Sequence, residues 1–107
     1  DADLVFDVRF LPNPYWVPEL RPKTGLSSDV ASYVMAQAGA TEFIDRVEQL
    51  LVGMAPGYLR EGKKQVTVAV GCTGGKHRST AISEELSTRL AARGHRTAVL
   101  HRDLGKE

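Results

Sequence analysis

Residues 72–79 read Cys-Thr-Gly-Gly-Lys-His-Arg-Ser, and this octapeptide with its flanks constrains the chain more than any other feature. An apolar run, Val66-Thr67-Val68-Ala69-Val70, leads into it, and a helical pattern from Thr80 to Arg93 leads out. Two adjacent glycines and three potential cations therefore fall on a strand-to-helix turn. Backbone N–H groups and the positive end of a helix dipole converge at such a turn. Gly74 and Gly75 have no Cβ and tolerate positive φ, so the backbone can curl closely around a ligand. Arg78 can grip an anion in a bidentate fork, with Lys76 as a point charge beside it. The reading is a phosphate cradle that draws on Thr73, Gly74, Gly75, Lys76, His77, Arg78 and Ser79. An ordinary tight turn is the blander alternative, but three basic side chains and two hydroxyls exceed what a turn needs. The spacing is not that of a Walker A loop. It does fit Cys-x-x-Gly-x-x-Arg-Ser, the spacing of the protein tyrosine phosphatase loop.

Around this turn the chain reads as alternating strands and helices. Leu4 to Leu11 is expected to be a buried strand, with Asp7 and Arg9 sharing one face. Three prolines between Pro12 and Pro18 exclude a helix or a central strand there, and a long loop continues to Gly25. Ser27 or Ser28 can cap a short helix from Asp29 to about Gln37, which Gly39 ends. Thr41 opens a longer helix whose core stripe is Phe43, Val47, Leu50, Leu51 and Met54, with a kink or break at Pro56-Gly57. Val66 to Val70 is continuously apolar and reads as a central strand. A helix over Arg78–Arg93 carries Ile82, Leu86 and Leu90 inward and stops at Gly94. Thr97 to Leu100 is expected as a third strand, closing a right-handed βαβ unit. The fold class is α/β: a small layered domain with a mostly parallel sheet. Ligands bind such sheets outside the carboxyl ends of the strands, here Phe10 to Pro14, Cys72 to Arg78 and His101 to Asp103.

Composition narrows the function. The 107 residues fit one domain, and 42% hydrophobic with 25% charged residues is ordinary for a globular chain. A net charge of +1 argues against a dedicated nucleic-acid binder. One cysteine excludes an internal disulfide and disfavours a zinc site, and no metal is expected. No apolar run reaches membrane-spanning length and no signal-peptide pattern is visible, so a cytoplasmic setting is expected. The opening Asp-Ala-Asp, directly before a strand-like run, suggests a piece of a longer protein.

Several residues carry two readings. His77 and His101 sit at the ends of two strands that should be neighbours; each is a phosphate contact, a proton shuttle or a surface histidine. Asp7, among Val5, Phe6 and Val8, is either paired with Arg9 or Arg102 or placed to touch a sugar hydroxyl or amino group. Tyr15 and Trp16 are more often plugs of a loop than ligand platforms, although the Tyr15 hydroxyl stays a candidate. Lys63-Lys64 reads as a solvated turn. Cys72 is a small buried apolar residue at a strand end, or a thiolate at a helix N-terminus.

The segments Val5–Pro14, Leu20-Arg21-Pro22, Thr24-Gly25-Leu26, Val70–Ser79 and His101–Leu104 together resemble the C-terminal domain of the RapZ family. These are bacterial nucleotide-binding RNase adapter proteins, also called YvcJ-type. The resemblance covers essentially the whole chain. It implies an N-terminal P-loop domain, with ATP or GTP as its cofactor, that is missing here, and a homo-oligomeric full-length protein. It implies that this domain binds an amino-sugar phosphate such as glucosamine-6-phosphate, and small RNA with an RNase partner in some members. Carried over, the ligand site is Asp7, Thr73, Gly74, Gly75, His77 and Arg78, with Tyr15 where some members have His. Arg9, Asn13, Lys76 and Ser79 complete the expected ligand-binding set. Two rival functions stand beside this one. In a cysteine-dependent phosphatase, Cys72 would attack phosphorus, Arg78 would hold the equatorial oxygens and Asp103 would serve as the acid. An RNA surface would use Arg9, Arg21, Lys23, Lys63, Lys64 and Arg102. The tail Asp103–Glu107 is less basic than the Lys/Arg-rich end of RNA-binding members.

Overall fold

A computed structural model describes residues 2–101. Strand β1 (Leu4–Asp7) pairs in parallel with β2 (Val68–Gly71), with Leu4 opposite Val68 and Asp7 opposite Gly71. Between them run α1 (Ser28–Met35) and α2 (Ala40–Arg60), and α3 (Arg78–Ala92) follows β2. The α/β class with a parallel sheet holds. The sheet itself is smaller than the sequence suggests.

β1 ends at Asp7 rather than Leu11. Asp7 Oδ1 accepts the backbone N–H of Arg9 (2.9 Å), a local bond that turns the chain out of the ladder. Val8 N still reaches Gly71 O (2.9 Å), and Leu11 N then closes a turn onto Val8 O (3.2 Å). β2 starts at Val68 rather than Val66, because Asp3 Oδ2 takes the Thr67 N–H at 2.8 Å just before the ladder opens. With one neighbour among the described residues, β2 is not central. The expected third strand over 97–100 is not formed. That segment lies along α3, with Thr97 Oγ1 2.6 Å from Ser87 Oγ and His101 Nε2 2.6 Å from Glu84 Oε2. Only Val99 of its four residues is even half-buried, so a ladder there would gain little apolar burial. The parallel crossover therefore runs from β1 through α1 and α2 to β2, not around α3.

The helices follow the sequence more closely. α1 starts one residue early, at Ser28, and stops at Met35. Lys23 and the Ser27 hydroxyl both bond the Asp29 carboxylate in its first turn and hold its pKa down at about 2. α2 runs through Pro56 without a break. The proline lies near the exposed end of a 21-residue helix, where the carbonyl left without its donor can turn to water. The α2 stripe is also shifted. Ala40, Ile44 and Val47 are buried, Phe43 is half-buried, and Leu50 is exposed. α3 ends in a Schellman arrangement, with Gly94 N bonding Ala91 O (3.0 Å) and His95 N bonding Leu90 O (3.1 Å).

The core joins Val8, Leu11 and Leu20 with Val30 and Val34 of α1, Ala40 and Ile44 of α2, and Ala81 and Ile82 of α3. The proline-rich loop is thus pinned by Leu11, Pro14 and Leu20. Tyr15 and Trp16 are not its plugs: both are exposed, Trp16 at 73%. They lie in a 3-10 turn, Pro14–Trp16, that the prolines do not prevent, because Pro14 occupies its first position where no N–H is needed. Arg89 bonds Asp45, Glu48 and Glu85, and Arg93 bonds Glu48, which laces α3 to α2.

Gly25 packs directly against the backbone at the start of α3. A Cβ there would lie 2.5 Å from both Ala81 N and His77 O. Gly25→Ala is therefore expected to destabilise the fold by about 1–3 kcal/mol, the cost of overpacking against backbone that cannot yield. Urea unfolding of the variant beside the parent checks this.

Candidate functional site

The parallel register sets the geometry. Asp7 pairs opposite Gly71, so the exits of β1 and β2 lie side by side. Residues 72–77 then form the turn into α3, with Gly74 (φ 77°) and Gly75 (φ 67°) both left-handed. That conformation is strained for other residues, which is why the turn carries two glycines.

The carbonyl side of this turn is tied to the protein. Gly75 O accepts the Thr80 hydroxyl (2.9 Å), and Lys76 O accepts the Gly25 N–H (2.9 Å). The donor side is less engaged. The Lys76 N–H closes the turn over Gly74-Gly75, and Ser79 N lies on Cys72 Sγ at 3.3 Å. Among the described residues, the backbone N–H groups of Thr73, Gly74, Gly75, His77 and Arg78 donate no hydrogen bond to the protein. The first turn of α3 has no acidic residue and no side-chain cap. Its dipole end is left with free donors, an arrangement that favours an anion.

Arg78 sits differently from a simple surface gripper. It is buried, 5% exposed, and its Nη1 donates to Arg9 O (3.1 Å) and Leu11 O (3.0 Å). The guanidinium thus fastens α3 to the chain leaving β1. Its Nε is buried and has no hydrogen-bond partner. A buried charged donor without an acceptor costs free energy, and such a group calls for a ligand or a water. His77 is also buried, with Nε2 3.2 Å from Leu20 O. It anchors the proline-rich loop and is not beside His101, which lies against Glu84 instead. Thr73 is exposed, Lys76 half-exposed and Ser79 buried.

Asp7 and Arg9 form an exposed pair, Nη2 to Oδ2 at 2.6 Å with Nε on both oxygens. The Arg9 guanidinium, with the Arg9 N–H, holds the Asp7 carboxyl below its usual range, and Arg78 adds to the effect from nearby. Asn13 caps the 3-10 turn, its Oδ1 accepting Tyr15 N at 3.1 Å. Tyr15 carries Arg21 over its ring at 4.6 Å, and its carbonyl accepts Arg21 Nε at 2.7 Å. Among the described residues, no hydrogen bond joins Asn13 or Tyr15 to the 72–79 turn. The structure thus brings Asp7, Arg9 and the turn together, while Asn13 and Tyr15 stand on the adjoining loop. Arg102 and Asp103, the latter the acid of the phosphatase reading, lie outside the described residues. Gly25 and Leu20 hold the turn through main-chain atoms. Only the Leu-Arg-Pro and Thr-Gly-Leu segments mark them in the sequence. No group of three or more metal-ligating side chains occurs among the described residues.

The fold and this turn first define a class: a small α/β domain whose parallel strand pair opens into a glycine turn and a helix N-terminus. The chain belongs to the RapZ C-terminal domain family, whose model matches residues 1–105. It is 99% identical to a nucleotide-binding protein of Cutibacterium acnes, over all of this chain and 37% of that protein. Nucleotide-binding proteins of Streptomyces coelicolor and Streptomyces avermitilis are 67% and 65% identical over the whole chain, each covered for 36% of its length. The chain therefore spans little more than a third of these curated relatives.

The Asp7–Arg9 geometry fixes a pH response. A carboxyl whose folded pKa is depressed contributes stability above its unfolded pKa and loses it as pH falls through the folded value. Arg9→Gln is expected to move the Asp7 midpoint upward. The stability gap between variant and parent should be full above the ordinary carboxylate range and close in acid. Carboxyl NMR titration and denaturation at several pH values check both.

Proposed function

We propose that this domain is a metabolite-sensing module that binds a phosphorylated amino sugar of the glucosamine-6-phosphate kind. One observation carries the reading: the unpartnered backbone N–H groups of Thr73, Gly74, Gly75, His77 and Arg78, flanked by the buried, unpartnered Nε of Arg78. Those donors suit phosphate oxygens. Lys76 adds a cation that makes no ion pair among the described residues, and Asp7, opposite Gly71, suits the ammonium or a hydroxyl of the sugar. Membership of the RapZ C-terminal domain family supports the same reading. Nucleotide binding, named for the relatives, is assigned in this proposal to ATP or GTP in a part of those proteins that this chain does not cover. The setting proposed is cytoplasmic; no helix among the described residues is long and apolar enough to cross a membrane.

RNA is a secondary ligand in this proposal. Arg9, Lys23 and Lys63 are each paired with a carboxylate, Asp7, Asp29 and Asp3 respectively. Arg21 is spent on Tyr15. Paired cations release fewer counterions from a phosphate backbone, so binding should be weak and salt-sensitive.

Calorimetry with glucosamine-6-phosphate, glucosamine and inorganic phosphate tests the proposal. Lys76→Ala leaves every hydrogen bond of the turn intact and should weaken phosphosugar binding by about 1.5–3 kcal/mol, the range for a charge-assisted bond. Unchanged affinity in that variant, or no binding by the parent, would sink the reading. Arg78→Ala is the poorer probe, because it also frees the Arg9 and Leu11 carbonyls. The domain should not turn over p-nitrophenyl phosphate. Steady hydrolysis that vanishes in Cys72→Ser would establish the cysteine phosphatase instead.

A further inference from the structure

Lys76 stands on the glycine turn itself, half-buried between Gly75 and His77, and makes no ion pair among the described residues. Two other lysines are occupied: Lys23 is paired with Asp29 and Lys63 with Asp3. Lys64 makes no ion pair among the described residues either, but it is exposed and lies at the opposite end of β2 from the turn. Two independent observations place an anion beside Lys76. Five backbone N–H groups of the turn donate to nothing in the protein, and Arg78, 5% exposed, keeps a buried Nε without a partner. Together they suit a phosphoryl group. An amine on the same turn then faces whatever that phosphoryl group carries.

We propose that the turn also takes acyl phosphates, such as acetyl phosphate, and that Lys76 is acylated by them. The inference rests on the anion-site reading above. The turn holds the phosphoryl half of the reagent. Lys76 Nζ, as the free amine, attacks the acyl carbon, and a C–N bond forms as the C–O bond to phosphorus breaks. Inorganic phosphate leaves with the electron pair of that bond and takes up the proton released from nitrogen. The acyl phosphate is the only co-reactant. The same N–H donors ease the departure of phosphate, because they stabilise the charge that develops on it. Holding reagent and amine on one turn makes the transfer effectively intramolecular. An acylated lysine carries no charge, so the product holds phosphate less well. The supply of activated acyl groups thereby sets the sensitivity of the site. Accessibility alone predicts the opposite order of reaction, since Lys64 is the more exposed amine.

Incubation of the chain with acetyl phosphate, with acetyl groups located and timed by peptide mass spectrometry, tests this. Lys76 should be acetylated at least about tenfold faster than Lys64, because the bound reagent is delivered to it. Excess inorganic phosphate should remove the preference. N-acetoxysuccinimide, an acetylating reagent without a phosphoryl group, should show none. Equal rates at the two lysines with acetyl phosphate would overturn the inference. So would a preference that phosphate leaves unchanged or that the uncharged reagent reproduces, since Lys76 would then be intrinsically reactive. Calorimetry separates this from the sugar reading. A phosphate-sensitive preference without glucosamine-6-phosphate binding upholds the inference and removes the sugar, whereas sugar binding without the preference does the reverse.

Discussion

Much of this domain hangs on one buried guanidinium. Arg78 opens α3, and its Nη1 holds the carbonyls of Arg9 and Leu11 at the exit of β1. A cation at the first position of a helix opposes the dipole and is a poor choice for helix stability alone. It is tolerated because two carbonyls, at 3.1 and 3.0 Å, replace part of its lost hydration. The bond fixes where the proline-rich loop begins. His77 on Leu20 and Gly25 on Lys76 then fix where it travels. The loop, the glycine turn and the start of α3 are thus one construction, closed by main-chain acceptors that no apolar pattern announces.

That construction explains which parts of the molecule were legible in its sequence. Helical periodicity located α1, α3 and the start of α2 to within a residue or two, because burial of Val30, Val34, Ile44, Val47, Ile82 and Leu86 recurs at helical spacing, but the end of α2 was misplaced, since the helix passes Pro56 and runs to Arg60. The strand-turn-helix around Gly74-Gly75 was equally plain, since φ > 0 at consecutive positions leaves few other residues. The strands were harder. Period-2 alternation runs from Phe6 to Phe10, past the end of β1, but a side chain stops the ladder when Asp7 binds the Arg9 N–H, and alternation does not report that. The segment 97–100 has strand-like composition, yet the Thr97 hydroxyl bonds to Ser87 of α3, and His101 just beyond it bonds to Glu84. Composition states what a segment prefers; its tertiary contacts decide.

The site shows the same division. The glycine turn as an anion cradle could be argued from spacing, dipole and charge. The double duty of Arg78 could not. Only coordinates reveal that one nitrogen of the guanidinium is structural while another is buried without a partner. Likewise, Tyr15 and Trp16 look like core residues in a string of letters. Their exposure follows from Leu11, Pro14 and Leu20 occupying the space beneath the loop.

The strand pairing has a kinetic corollary. Asp3 and Thr67 are joined across 64 residues of sequence, with two helices between them. The helices consist of contacts local in sequence, whereas the sheet demands closure of nearly the entire intervening chain. The glycine turn is built directly on that sheet, so its geometry depends on that closure and is lost when the ends of the long excursion part. Any ligand held there binds the closed chain alone, and so draws the folding equilibrium toward itself.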